Sequence, residues 1–187
     1  FDKVNGILAT KCNAAGMPFQ IGCSHMSPKI SLERVKRARE LQPSAIQIIL
    51  PDWFVPSMEE IIDFLKVMCA VADPIKLILY NPPHAKRKLQ PKEFAAILHA
   101  GIPLAGCKVA GGDEQWYKEM NAIGIPFSVF IPGHHLATGI ANGAQGAYSN
   151  VACLNPKLAQ GWYNNIANHT GDPFELQARI QKFMDDC

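Results

Sequence analysis

Lys76-Leu77-Ile78-Leu79-Tyr80-Asn81 is apolar almost throughout and then stops on a tyrosine and an asparagine. A half-solvated strand alternates apolar with polar residues. An unbroken apolar run suits a strand covered on both faces, as in parallel sheets with helical crossovers. Ile46-Gln47-Ile48-Ile49-Leu50 has the same character. Such runs predict strands over Pro18–Gly22, Ala45–Pro51, Lys76–Asn81, Leu104–Ala110, Phe127–Gly133 and Gly146–Asn150. Between them the spacing predicts helices over Ser31–Leu41, Ser57–Ala72, Pro91–Ala100, Asp113–Ala122 and Leu136–Asn142. Two more, Pro156–Ala167 and Pro173–Asp186, follow the last strand. Helix starts are marked by Ser57 ahead of Glu59-Glu60, by Pro91 followed by Lys-Glu, and by Pro156 after Asn155. Val4–Ala15 reads as the end of a helix closed by Gly16.

Regular strand–helix alternation leaves a doubly wound sheet or a barrel. No Gly-x-Gly-x-x-Gly follows any strand, so the dinucleotide fold lacks its fingerprint. What recurs is polar residues at the C-terminal ends of strands: Ser24-His25, Asp52-Trp53, Tyr80-Asn81, Lys108, Gly133-His134-His135 and Ser149-Asn150. A barrel gathers its chemistry at that face. The expected fold is therefore α/β, a (β/α)8 TIM barrel. Six strands fall short of the eight that a barrel needs in about 250 residues. The barrel is expected to be incomplete, with an open six-stranded parallel sheet as the alternative.

The 187 residues suit one domain, residues 1–187, with a sizeable core. Hydrophobic residues make up 48% and charged residues 18%, and the net charge is +2. That balance gives no reason to expect nucleic acid or an anionic membrane as partner. The densest basic cluster, Lys86-Arg87-Lys88, is too short for a binding tail. No apolar run approaches the roughly 20 residues of a membrane span. The six cysteines, Cys12, Cys23, Cys69, Cys107, Cys153 and Cys187, form no Cys-x-x-Cys pair and no zinc pattern. Reduced thiols are expected, and with them a cytoplasmic location.

Lys108, in Leu104-Ala-Gly-Cys-Lys-Val-Ala110, is the least expected residue of the chain, because lysine is rarely buried in an apolar strand. Desolvation lowers an amine's pKa, and a neutral amine attacks carbonyls to give an imine, an electron sink for carbon–carbon chemistry. By position alone Lys108 is either such a nucleophile or a surface lysine snorkelling to water. Tyr80, by position alone, is a wall aromatic whose hydroxyl reaches solvent or backbone.

Tyr80-Asn-Pro-Pro83 and Gly106-Cys-Lys-Val-Ala-Gly-Gly112, separated by one helix, resemble the paired signature of the dihydrodipicolinate synthase/N-acetylneuraminate lyase family. That family reads Tyr-Asn-x-Pro at the fifth barrel strand and Gly-x-Lys-x-x-(Ser/Thr)-Gly at the sixth. Pro18–Gly22, Ile46–Pro51 and Phe127–Gly133 are similar to its third, fourth and seventh strands. Gly143-Ala-Gln-Gly-Ala-Tyr-Ser149 is similar to its eighth. The resemblance implies a class I lyase or aldolase joining or splitting a 2-oxo acid such as pyruvate and an aldehyde. Lys108 would form the imine and Tyr80 would relay protons. Gly133, Tyr148, Asn81 and His134 would line the substrate pocket, Tyr148 standing where the family has an aliphatic residue. The resemblance implies no metal and no organic cofactor, and a homodimer or homotetramer.

Four departures from the family pattern are visible. The Gly-Thr-Thr-Gly-Glu run of its second strand has no counterpart, and neither have the helices beyond its eighth strand, so a partial chain is expected. Ala85 stands where synthases carry a substrate-binding arginine, with Lys86 and Arg87 adjacent. Pro51-Asp52-Trp53 replaces Pro-Tyr-Tyr, and Trp53 has no hydroxyl to pass a proton. These departures argue against a true dihydrodipicolinate synthase, and a catalytically silent barrel that binds a ligand or partner is the alternative function. Adjacent His134 and His135 are expected to point in different directions, one to substrate and one structural. His25 either reaches the pocket mouth or belongs to a helix-capping loop.

Overall fold

The structure is a computed structural model and describes residues 1–186; Cys187, counted above among the thiols, lies outside them. The chain packs as two compact units, the first comprising Phe1–Cys107 with Ile123–Phe127 and the second Lys108–Ala122 with the chain from Ser128 onward.

The first unit opens with helix α1 (Asp2–Ala14), after which Gly16 adopts a positive φ of 59°. It continues through β1 (Gln20–Gly22), α2 (Pro28–Arg39), β2 (Ala45–Ile49), α3 (Met58–Ala72), β3 (Leu77–Tyr80), α4 (Pro91–His99) and β4 (Leu104–Lys108), whose last residue begins the second unit. Strands β1 to β4 lie in chain order. Parallel register sets Ile21 beside Ile46, Ile46 beside Leu77 and Ile48 beside Leu79. These five side chains share one face of the sheet and are sealed from solvent. Gln47, Ile49 and Tyr80, one step out of phase, share the other face and are only partly covered. The apolar runs predicted strands covered on both faces; one face is sealed and the other stays partly open, because the pleat directs Gln47 and Tyr80 there.

Helices supply the sealing layer. α3 buries Ile61, Leu65, Met68 and Ala72, a stripe at spacings of three and four. It starts where the sequence marked it: the Ser57 hydroxyl accepts from the Glu60 N–H at 3.2 Å, and the Glu60 carboxylate accepts from the Ser57 N–H at 2.7 Å. α4 starts at Pro91, and the Gln90 N–H donates to Glu93 at 2.8 Å. α2 begins at Pro28, three residues before its expected start, with Ser27 at the N-cap. Ser31 is buried in the first turn, and its hydroxyl donates to the His25 carbonyl at 3.2 Å.

The second unit holds α5 (Glu114–Asn121), β5 (Ser128–Pro132), a 3-10 turn (Gly133–His135), α6 (Leu136–Ala141), β6 (Gly146–Tyr148), α7 (Asn150–Leu154), α8 (Pro156–Ala167) and α9 (Pro173–Asp185). β5 and β6 pair in parallel, with Phe130 beside Gly146 and Pro132 beside Tyr148. The Val109 N–H, just past β4, donates to the Phe130 carbonyl at 3.0 Å. Ile131 points to the sealed face, where its side chain occupies the space a Cβ on Gly139 of α6 would need. Leu136, Ala137, Val151, Trp162 and Ile180 form the helical core, and the Trp162 indole donates to the Pro173 carbonyl at 3.1 Å. α7 and the 3-10 turn have no counterpart among the predicted elements.

The packing of Ile131 on Gly139 yields a paired test. Gly139→Ala is expected to destabilise by about 1–3 kcal/mol through overpacking. Gly161→Ala, on an open stretch of α8 with nothing near its Cβ position, is expected to stabilise by about 0.5–1 kcal/mol. Urea unfolding midpoints for both variants decide it.

Candidate active site

Lys108 ends β4 half-buried, with its Nζ 4.9 Å from the centre of the Tyr148 ring. Tyr148 is braced edge-on by Phe130, at 5.4 Å between centroids and 81° between planes. Register explains the brace: Phe130 lies beside Gly146, two residues before Tyr148, so both rings rise from the same face. Burial pushes the Lys108 amine below the ordinary lysine range. The preceding residue, Cys107, alternates to the opposite face and is fully buried, and burial raises its thiol well above the ordinary cysteine range. The strand thus offers an amine on one side and an inert thiol on the other.

Gly133 is buried where β5 turns over, and Ser149 fills the position a Cβ would take. Only glycine fits so close an approach. The Ser149 hydroxyl also caps α7, accepting from the Ala152 N–H at 3.1 Å. The Asn150 carboxamide lies against the His134 ring, its Nδ2 3.0 Å from Nδ1. The two histidine rings were expected to diverge, yet their centroids lie 4.1 Å apart, tilted by 49°. A 3-10 turn advances side chains by about 120° per residue rather than the alternation of a strand, which keeps neighbours together. Burial, and then the charge of His134, lower the His135 pKa. Among the described residues, no group of three or more His, Cys, Asp or Glu could hold a metal ion. Sequence reasoning missed Phe130 and Asn150 as supports. The alternation of Ser128-Val-Phe-Ile-Pro132 was the available signal for the first, and the Ser149 cap for the second.

Tyr80 and Asn81 belong to the first unit, whereas Lys108, Gly133, His134 and Tyr148 belong to the second. Tyr80 ends β3 on the partly open face. Asn81 is buried, donating to the Arg87 carbonyl at 2.9 Å and accepting from the Leu89 N–H at 2.8 Å. Its carboxamide stitches together the loop between β3 and α4. The two cations that stand near the missing arginine are committed elsewhere. Lys86 donates to the Trp53 carbonyl at 2.6 Å, and its N–H donates to Asp52 at 2.9 Å. Arg87 donates to the Pro56 carbonyl at 2.7 Å and pairs with Glu93 at 2.5 Å. A cavity of about 40 Å³ between the ends of β2 and β3 is lined by Asp52, Tyr80, Asn81, His84 and Arg87. Trp53 itself is 72% exposed. His25 takes the capping role, its Nδ1 accepting from the Ser27 N–H at 2.9 Å. Cys12, Cys23, Cys69, Cys107 and Cys153 are free thiols. No helix among the described residues is long and apolar enough to cross a membrane.

No family model matches the chain, and no curated protein matches it. Many solved structures do, and among them are a dihydrodipicolinate synthase, an N-acetylneuraminate lyase and related aldolases. One is a dihydrodipicolinate synthase from Bacteroides thetaiotaomicron, with 21% identity and a TM-score of 0.80 over 99% of this chain and 64% of that one. Another is an N-acetylneuraminate lyase from Mycoplasma synoviae, with 20% identity and a TM-score of 0.81 over 99% of this chain and 63% of that one. A third is a 2-keto 3-deoxygluconate aldolase from Picrophilus torridus, with 20% identity and a TM-score of 0.75 over 95% of this chain and 64% of that one. The chain therefore spans somewhat under two thirds of the length of these structures. At such identities the likeness shows the fold: six parallel strands with helical crossovers, an incomplete (β/α) barrel.

The Arg87–Glu93 pair has a pH signature. Burial disfavours the Glu93 carboxylate, but the Gln90 N–H and the Arg87 guanidinium outweigh burial and hold its pKa below the ordinary value of 4.5. A pKa depressed in the folded state contributes stability above the ordinary value, and that contribution is lost as pH falls through the folded value. Arg87→Met is expected to lower stability by about 1–3 kcal/mol at neutral pH. The gap to the wild type should narrow as pH is lowered below 4.5 in parallel denaturation curves, the part owed to the Pro56 carbonyl remaining; a gap constant with pH would refute the pairing.

Proposed function

We propose that this chain carries the catalytic lysine of a class I lyase or aldolase of the dihydrodipicolinate synthase/N-acetylneuraminate lyase family. Its substrates are a 2-oxo acid such as pyruvate and an aldehyde. The observation that carries the proposal is the half-buried Lys108 at a strand's C-terminal end, with its amine pKa lowered by burial. The paired motifs around Tyr80 and Lys108 support it from the sequence.

In this mechanism the neutral Lys108 amine attacks the carbonyl carbon of the 2-oxo acid to give a carbinolamine. Loss of water, with the proton delivered through Tyr80, gives the iminium. The iminium draws electrons from the adjacent carbon, whose proton departs to leave an enamine. The enamine carbon then bonds to the aldehyde carbon while the carbonyl π electrons move to the aldehyde oxygen, which takes up a proton to become a hydroxyl. Water hydrolyses the resulting iminium to release product and amine. Cleavage is the same sequence reversed. Gly133, Tyr148 and His134 are assigned to the substrate side of this site, while the Asn81 carboxamide is engaged in holding the loop after β3. The imine serves as the electron sink, so the mechanism calls on no metal and no organic cofactor. A cytoplasmic homodimer or homotetramer completes the proposal.

The commitment of Lys86 and Arg87 to backbone carbonyls favours a second function, a silent barrel that binds a small ligand without turning it over. One experiment separates the two. Pyruvate followed by borohydride is expected to add a reduced adduct to Lys108 in the intact protein, located by peptide mass spectrometry. The absence of an adduct, or its persistence in Lys108→Ala, would sink the imine mechanism.

A further inference from the structure

The aromatic face over Lys108 has a consequence beyond lining a pocket. We infer that the Tyr148 ring is a cation platform for Lys108: it favours the positively charged forms of that nitrogen, first the ammonium and then the iminium, and so acts as a positioning residue of the imine chemistry. The inference rests on the proposed imine mechanism and deepens it.

The geometry carries it in three steps. The Nζ of Lys108 lies 4.9 Å from the ring centroid, within the roughly 6 Å over which a ring quadrupole attracts a cation. The ring is held in place by Phe130, which meets it edge-on at 5.4 Å. Phe130 in turn is fixed by the parallel register of β5 and β6, with Pro132 set beside Tyr148. The platform is therefore built from strand positions rather than from a mobile loop. On the other elements adjoining this strand end in its unit, β5 carries no titratable side chain, and the turn after it brings His134 and His135. Glu114 and Lys118 of α5 pair with each other at 2.6 Å on an exposed surface.

The chemistry makes such a platform useful. Burial discourages charge on this nitrogen, which aids attack on the carbonyl, but the next species must be cationic to draw electrons from the neighbouring carbon. A π face tolerates a cation without supplying a base that would strip its proton. Unlike a carboxylate, it forms no ion pair that would hold the amine protonated and unreactive. It moderates the cost of the iminium while leaving the amine able to attack.

The test measures Lys108 directly. The rate at which an amine-reactive acylating reagent labels Lys108 is followed against pH in the intact protein by peptide mass spectrometry. Tyr148→Phe keeps the ring and is expected to leave the Lys108 profile unchanged. Tyr148→Leu removes it and is expected to shift the profile down by about half a unit to one unit. Phe130→Leu, which releases the brace, is expected to shift it in the same direction by less. In parallel, borohydride trapping with pyruvate should fall several-fold in Tyr148→Leu and by less in Tyr148→Phe, which keeps the ring but gives up a hydroxyl on the substrate side. If Tyr148→Phe behaves like Tyr148→Leu, the hydroxyl and not the ring is responsible, and the platform is overturned. It is overturned equally if Tyr148→Leu, folded by circular dichroism, keeps the wild-type profile. Failure of the wild type to trap pyruvate at all counts against the imine mechanism, whereas the pH profile of Lys108 still reports on the ring.

Discussion

Parallel pairing decides which side chains share a face, and in this chain that one constraint sorts structure from chemistry. Ile21, Ile46, Ile48, Leu77 and Leu79 stand in register and are sealed on one side of the sheet. Their out-of-phase neighbours, among them Gln47 and Tyr80, are left on the side that stays partly open. The same alternation in the second unit sends Ile131 into the α6 contact and Phe130 and Tyr148 to the other side. A one-residue slip in any strand would exchange these sets, burying a tyrosine hydroxyl or an amine and exposing the isoleucines. Hydrophobic burial of the sealed face therefore also decides which side Tyr80 and Tyr148 face.

Much of this was legible in the sequence because it is local. Apolar runs of four to six residues and helix starts such as Ser57 and Pro91 depend on neighbours along the chain, and the observed elements fall within the predicted spans to within a few residues. Lys108 was legible for the same reason, as a charge misplaced in an apolar run. The remainder depends on tertiary partners. α7 has only five residues, too few to show helical periodicity, and rests on a cap and on core packing of Val151. The proximity of His134 and His135 follows from the turn type that β5 ends in. The destination of Arg87 could not be read from Lys86-Arg87-Lys88, because its partners, Pro56 and Glu93, lie on either side of it in the chain.

Those ties give the loops of the first unit a common logic. Asn81 and Lys86 spend their polar groups on backbone atoms of the loops after β3 and β2, and Arg87 divides its guanidinium between the Pro56 carbonyl and Glu93. Side chains that by type could grip an anionic substrate instead fix the path of the chain. The Pro51–Pro56 loop is pinned from beneath, while Trp53, Phe54 and Val55 remain largely exposed above it. Rigid anchoring beneath an apolar surface separates the stability of this loop from the character of what it presents.

Cys107 gives the lysine's position a further meaning. It is the immediate neighbour of Lys108, yet the pleat turns it to the sealed side, where burial keeps it protonated. Aldehydes combine rapidly with thiolates to give hemithioacetals, which would divert any carbonyl arriving at this strand end. A thiol that is sequestered and held protonated would not compete with Lys108 for an electrophile in the imine chemistry proposed above. Under that proposal, chemoselectivity would come from the alternation of a β-strand, which keeps an amine and a thiol apart by no more than one step of the backbone.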